Sequence, residues 1–98
     1  MSEFLKSFRG RVKMAPYNRK TIDGETIWRA LIIGGREPNF SYLMAIGIDP
    51  ESASLVASLK RNQQVILSGE SYSQNKQIGH GKITLIRGML VRSVETVS

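Results

Sequence analysis

From Phe8 to Met14 the chain alternates strictly. Phe8, Gly10, Val12 and Met14 fall on one parity, and Arg9, Arg11 and Lys13 on the other. A period of two is that of a half-buried strand, so the spacing predicts a first strand that turns its apolar set inward and its cations outward. The stretch that follows, APYNRKTIDGE, carries Pro16, Asn18 and Asp23-Gly24. These are turn-forming residues, and a loop or hairpin tip is expected there. TIWRALII is rich in β-branched and aromatic residues and stops at Gly34-Gly35, which predicts a second strand. REPN then turns the chain into FSYLMAIGI, a third.

Asp49-Pro50-Glu51 reads as a helix start. Asp can accept from free amides, Pro fits the first turn, and Glu suits the positive end of the helix dipole. Leu55, Val56 and Leu59 share one face, and Lys60 and Arg61 are placed in the last turn, where cations complement the dipole. Asn62 is expected to end the helix in the left-handed conformation. QVILSG makes a fourth strand with Val65 and Leu67 on one face, ESYSQNKQIGHGK a polar loop or hairpin arm, and ITLIRGMLVRSV a fifth strand. Gly88 marks a bulge or sharp bend within it, and Gly69 a bend or close backbone approach.

No repeat, low-complexity tract or linker divides the chain, so residues 1–98 are expected to form a single domain. Three strands, a helix and two strands fit an all-β protein with one helix, a five-stranded antiparallel barrel whose helix plugs one end. That is the OB-fold, and another α+β fold with the same element order is its competitor.

Composition narrows the chemistry. The 41% apolar content suits a globular core, and no run is long and apolar enough to span a bilayer. The N-terminal MSEFLKSFRG lacks the apolar core and cleavage site of a secretory signal. With no cysteine, thiolate chemistry and disulfides are excluded and a cytoplasmic setting is favoured. A lone histidine, His80, makes neither a metal site nor a nucleophile–base pair. GHGK is no phosphate loop, because strands flank it on both sides. Asp23 with Glu25, and Asp49 with Glu51, are explained by a turn and a cap. No enzyme, cofactor or metal is expected. The net charge of +6 attracts polyanions, and it is concentrated at both ends. Lys6, Arg9, Arg11, Lys13, Arg19 and Lys20 lie in the first twenty residues, and no acid occurs from Lys76 to Arg92.

Phe40 to Gly69 resembles the segment of bacterial single-stranded DNA-binding proteins that runs from the third strand through the helix into the fourth. The shared pattern is an aromatic (Tyr42), an apolar run (Leu43 to Ile48), a helix, and then Leu59-Lys60-Arg61-Asn62 followed by Val65, Leu67 and Gly69. The primosomal replication protein and filamentous-phage strand binders are similar in fold. Asn62 stands where that family usually has Gly, and Tyr42 where it usually has Trp. The resemblance implies an OB-fold that binds single strands, with Tyr42 at the family's stacking position.

Single-strand binding requires cations along the phosphates and flat side chains under the bases. Arg9, Arg11 and Lys13 are expected on the outer wall of the first strand. The ligand of an OB-fold crosses the second and third strands between two loops. These loops are expected to hold Tyr17, Arg19 and Lys20 on one side and Tyr72, Lys76, His80 and Lys82 on the other. Tyr17 and Tyr72, in polar stretches, are the preferred stacking residues. Arg29 is expected to point outward and Trp28 inward. Tyr42 is balanced between stacking and core, and Phe40 is assigned to the core.

The second and third strands carry apolar residues on both parities, so their outer face is expected to meet another surface, most simply a second copy in a homodimer or higher oligomer. The function expected is non-catalytic binding of single-stranded DNA, accessory to replication, recombination or mobile-element transfer. The alternatives are an RNA-binding OB domain and a protein-interaction module.

Overall fold

The chain runs β1 (Lys6–Lys20), β2 (Thr26–Arg36), β3 (Asn39–Gly47), α1 (Pro50–Ala57), β4 (Gln64–Ile78) and β5 (Lys82–Thr96) in the computed structural model, which describes residues 6–78 and 81–97. The strands close into a barrel in the order β1-β2-β3-β5-β4, with β4 returning to β1. All seams are antiparallel except β3–β5, where Ala45 pairs with Met89 and Ile46 with Leu90 in parallel. The expected all-antiparallel barrel is corrected in this one respect. A closed ring with an odd number of strands cannot alternate direction all the way round, so one seam must be parallel.

Backbones approach closely at this closure. A Cβ on Gly88 would strike the Met44 carbonyl of β3, and one on Gly69 the Leu90 carbonyl of β5. The register of β4 against β5 also shifts between Ser68 and Gly69. Both glycines therefore sit where the sequence placed a bend or close approach.

β1 departs from its expected course in two ways. Its register against β2 slips between Val12 and Met14 and again between Met14 and Tyr17. The first extra residue turns Met14 to the outer face, so it lies 43% exposed rather than in the core, and the second restores the original parity by Tyr17. The strand also continues through Asn18 to Lys20, and only residues 21–25 make the turn. That turn is closed by Thr21 N–H to the Glu25 carbonyl at 2.8 Å, by Glu25 N–H to Thr21 Oγ1 at 3.0 Å and by a Thr21 hydroxyl bond to Asp23. The expected loop is mostly strand, and its Asp-Gly tip is the part that turns.

Asp49 caps α1 as expected. Its Oδ1 accepts from Ser52 N–H and from the Ser52 hydroxyl, each at 2.7 Å, and Pro50 occupies the first turn. These donors hold the Asp49 carboxyl below the usual carboxylate range, with Arg92 adding to the effect. Arg92 lies 2.9 Å from Asp49 and 3.2 Å from Glu70, tying the helix start to β4 and β5. The C-terminal end differs from expectation. The helix stops at Ala57 with Ser58 as its cap, so Lys60 and Arg61 lie beyond its last turn. Asn62 does adopt the left-handed conformation, with φ 72°. It does so in the turn that enters β4, where its N–H donates to the Val12 carbonyl at 2.8 Å.

The barrel interior is filled by Val12, Ile32, Ala45, Val65, Leu67 and Val91, with Val56 and Leu59 closing one end from the helix side. Trp28 packs half-buried against this core, in line with its inward assignment. A second core lies on the opposite parity of β2 and β3. Ile27, Ile46 and Ile86 are buried there, and Met44, Tyr72, Ile78 and Leu90 pack around them. Burying each such isoleucine stabilises by about 1.5–3 kcal/mol. The long β4–β5 arm thus covers part of the face for which a second copy was expected, and of the two forms expected for the polar stretch ESYSQNKQI it takes the hairpin arm. No helix among the described residues is long and apolar enough to cross a membrane.

Candidate nucleic-acid interface

Pairing across β1, β2 and β3 sets the outer face in rows. Arg11, Ile33 and Tyr42 form one row, Met14, Leu31 and Met44 the next, and Tyr17, Arg29 and Ile46 the third. The arm covers the Ile46 end. At the other end Tyr42 is 57% exposed and Phe40, on the same parity, 47% exposed. The assignment of Phe40 to the core is therefore corrected. It shares the face of buried Ile46 but lies beyond the second core, which stops at Met44.

Cations stand over these rings. Lys13 Nζ is 5.7 Å from the Tyr42 ring centroid, and the Arg29 guanidinium is 5.2 Å from that of Tyr17. Both distances are within the range of cation–π attraction. Arg29 is half-buried, and its buried Nε has no hydrogen-bond partner among the described residues. The Tyr17 face offsets part of the cost of desolvating that charge.

Arg9, Lys13 and Arg19 are exposed along β1. Arg11 is half-buried, and its Nη1 donates to Asn62 Oδ1 at 3.0 Å. Lys20 and Lys82 are exposed beside the junction of the two hairpin tips, where Thr21 bridges Ile78 and Ile22 N–H donates to the Gln77 carbonyl at 2.8 Å. Among the described residues, ion pairs engage only the cations Lys76 and Arg92. Thus no carboxylate of the described residues forms an ion pair with the cations of β1.

Two expected residues are occupied within the protein. Tyr72 packs against the second core rather than standing in a polar loop, and burial pushes its phenol up. Lys76 pairs with Glu25 at 3.0 Å, and the hydrogen bond to that carboxylate raises the ammonium pKa. Tyr17 is likewise on a strand, half-buried under Arg29. His80 lies outside the described residues.

Sequence reasoning did not find three residues of this surface. Arg36 and Phe40 line a cleft with Arg9 and Arg11, and Arg61 lines another with Lys13, Tyr17 and Arg19. The parity of Phe40 with Tyr42 was a usable signal. Arg36 and Arg61 lie at a strand end and in a turn, where no periodicity marks a face.

No protein-family model and no curated protein matches the chain. Solved structures do. The barrel is similar to the dimeric N-terminal domain of PriB protein from Thermoanaerobacter tencongensis, with a TM-score of 0.69 and 17% sequence identity over 96% of each chain. The fold is the OB-fold. At this identity the likeness concerns the fold alone, and the exposed OB-fold face of β1, β2 and β3 is described by this chain's own residues.

Proposed function

We propose that this protein binds single-stranded DNA, without catalysis, across the part of the β1–β2–β3 face that the arm leaves open. The observation that carries the reading is the exposed pair Phe40 and Tyr42 among cations that pair with no carboxylate of the described residues. OB-folds commonly take oligonucleotides on this face. Bases stack on the two rings while Arg9, Arg11, Lys13, Arg19 and Arg29 follow the phosphates, and Lys20 and Lys82 extend the track at the hairpin tips. Such a protein serves as an accessory in replication, recombination or mobile-element transfer.

Titration of a fluorescent oligo-dT and its RNA counterpart at two salt concentrations tests the reading. Affinity should fall steeply with salt, with a log–log slope of roughly 0.7 per phosphate neutralised. Absence of binding at low salt contradicts it, and tighter binding of the RNA favours the RNA alternative.

A second reading concerns assembly. Ile83 and Leu85 project from the arm into solvent, on the side away from the second core. A symmetric dimer through this surface fits the state named for the similar PriB domain. Sedimentation at micromolar concentration checks it, and a monomer contradicts it.

A further inference from the structure

The cleft at the Arg36 end of the face is more specific than a track for phosphates. Arg9 and Arg11 line it from β1, Arg36 from the end of β2, Phe40 from β3 and Gln64 from the start of β4. Gly10, Gly34 and Gly35 line it too, so bare backbone forms part of the wall. It encloses about 650 Å³, a size that holds one small ligand unit rather than a length of chain.

One of its arginines is held in place. Arg11 donates to Asn62 Oδ1 at 3.0 Å, and Asn62 is fixed by its own N–H to the Val12 carbonyl at 2.8 Å. The acceptor is a neutral amide, so it orients the guanidinium without cancelling its charge. A carboxylate at that position would do both. Planar guanidinium groups match phosphate oxygens in bidentate geometry, and an exposed Phe ring suits a base.

We infer that this cleft is a single-nucleotide subsite, with a base against Phe40, its phosphate among Arg9, Arg11 and Arg36, and Asn62 as the residue that positions Arg11. The inference rests on the single-strand reading above and adds to it where one nucleotide is gripped most tightly.

Oligo-dT titrations of the full chain test it with four variants. Asn62→Gly keeps the left-handed turn, which glycine adopts freely, and removes only the amide. Its unfolding midpoint should stay put, its affinity should fall by roughly 2- to 10-fold as the side chain loses its ordering, and its salt slope should be unchanged. Asn62→Asp holds Arg11 but neutralises it, so the slope should shrink by roughly 0.7. Phe40→Ala should weaken binding by about 5- to 150-fold, and Arg36→Ala should reduce both affinity and slope. If both Asn62 variants match the unaltered protein in affinity and slope, the positioning role is overturned. If Phe40→Ala and Arg36→Ala also bind normally, the subsite is overturned while strand binding on the rest of the face stands. Failure of the unaltered protein to bind overturns both readings.

Discussion

Tyr42 and Ile46 lie on the same face of β3, yet Tyr42 is 57% exposed and Ile46 fully buried. Each lies opposite a residue of β2 in an unbroken antiparallel register, and Ile46 also pairs with Leu90 of β5. The difference comes from elsewhere in the chain. The β4–β5 arm places Tyr72 and Ile86 with Ile46 in the second core, and that core ends before Tyr42. Strand periodicity determines which side a residue takes. A segment distant in sequence determines whether that side becomes core or stays exposed.

The largest expected effect probes the covered half. Ile46→Ala should cost about 2–5 kcal/mol of stability, as for other buried aliphatic truncations. Phe40→Ala, on the uncovered half, should stay within about 0.5 kcal/mol. Denaturant midpoints compare the two, and equal losses would erase the distinction between the halves.

The next effect separates the two tyrosines. Tyr42→Ala should weaken oligo-dT binding by about 1–3 kcal/mol while leaving stability nearly unchanged. Tyr72→Ala should do the reverse, lowering the unfolding midpoint and leaving affinity intact. A Tyr72 variant that folds normally and binds poorly would move the site onto the arm.

A smaller effect concerns the helix start below the barrel. Asp49→Ala removes the cap and should cost about 0.5–2 kcal/mol. The folded carboxyl titrates below its unfolded value of about 3.9, so its contribution is complete above that pH and is lost as pH falls through the lowered folded value. Thermal midpoints measured down the acid range should therefore fall more steeply for the unaltered protein than for Asp49→Asn. The smallest effect is Glu25→Gln, which breaks the partly exposed pair with Lys76 and should cost less than about 1 kcal/mol. A loss of several kcal/mol there would show that the arm depends on this pair rather than on Ile86 and its neighbours.

The element order, the capping Asp49 and the close approaches at Gly69 and Gly88 are all legible in the sequence, because each follows from local chemistry. Met14 is not. A bulge leaves no compositional mark at Lys13, and one extra residue turns Met14 outward before a second restores the alternation. Phe40 shows a different gap. Its parity is plain, but whether that parity is buried depends on how far the arm reaches. The packing of Tyr72 is hidden for the complementary reason, since its sequence neighbours are polar while its neighbours in space are Ile27, Ile46 and Ile86. Asn62 is legible in conformation but not in role. A left-handed residue near a helix end reads as a cap, and only the fold shows it beside Val12 and Arg11.

Amide chemical shifts, followed as oligo-dT is added to the isotope-labelled protein, locate the bound strand on the barrel. The largest changes should fall in the first half of β1, at Arg36 and from Phe40 to Leu43, with little change around Tyr72 and Ile86. Changes concentrated on the β4–β5 arm, with Phe40 and Tyr42 undisturbed, would contradict binding on the β1–β2–β3 face.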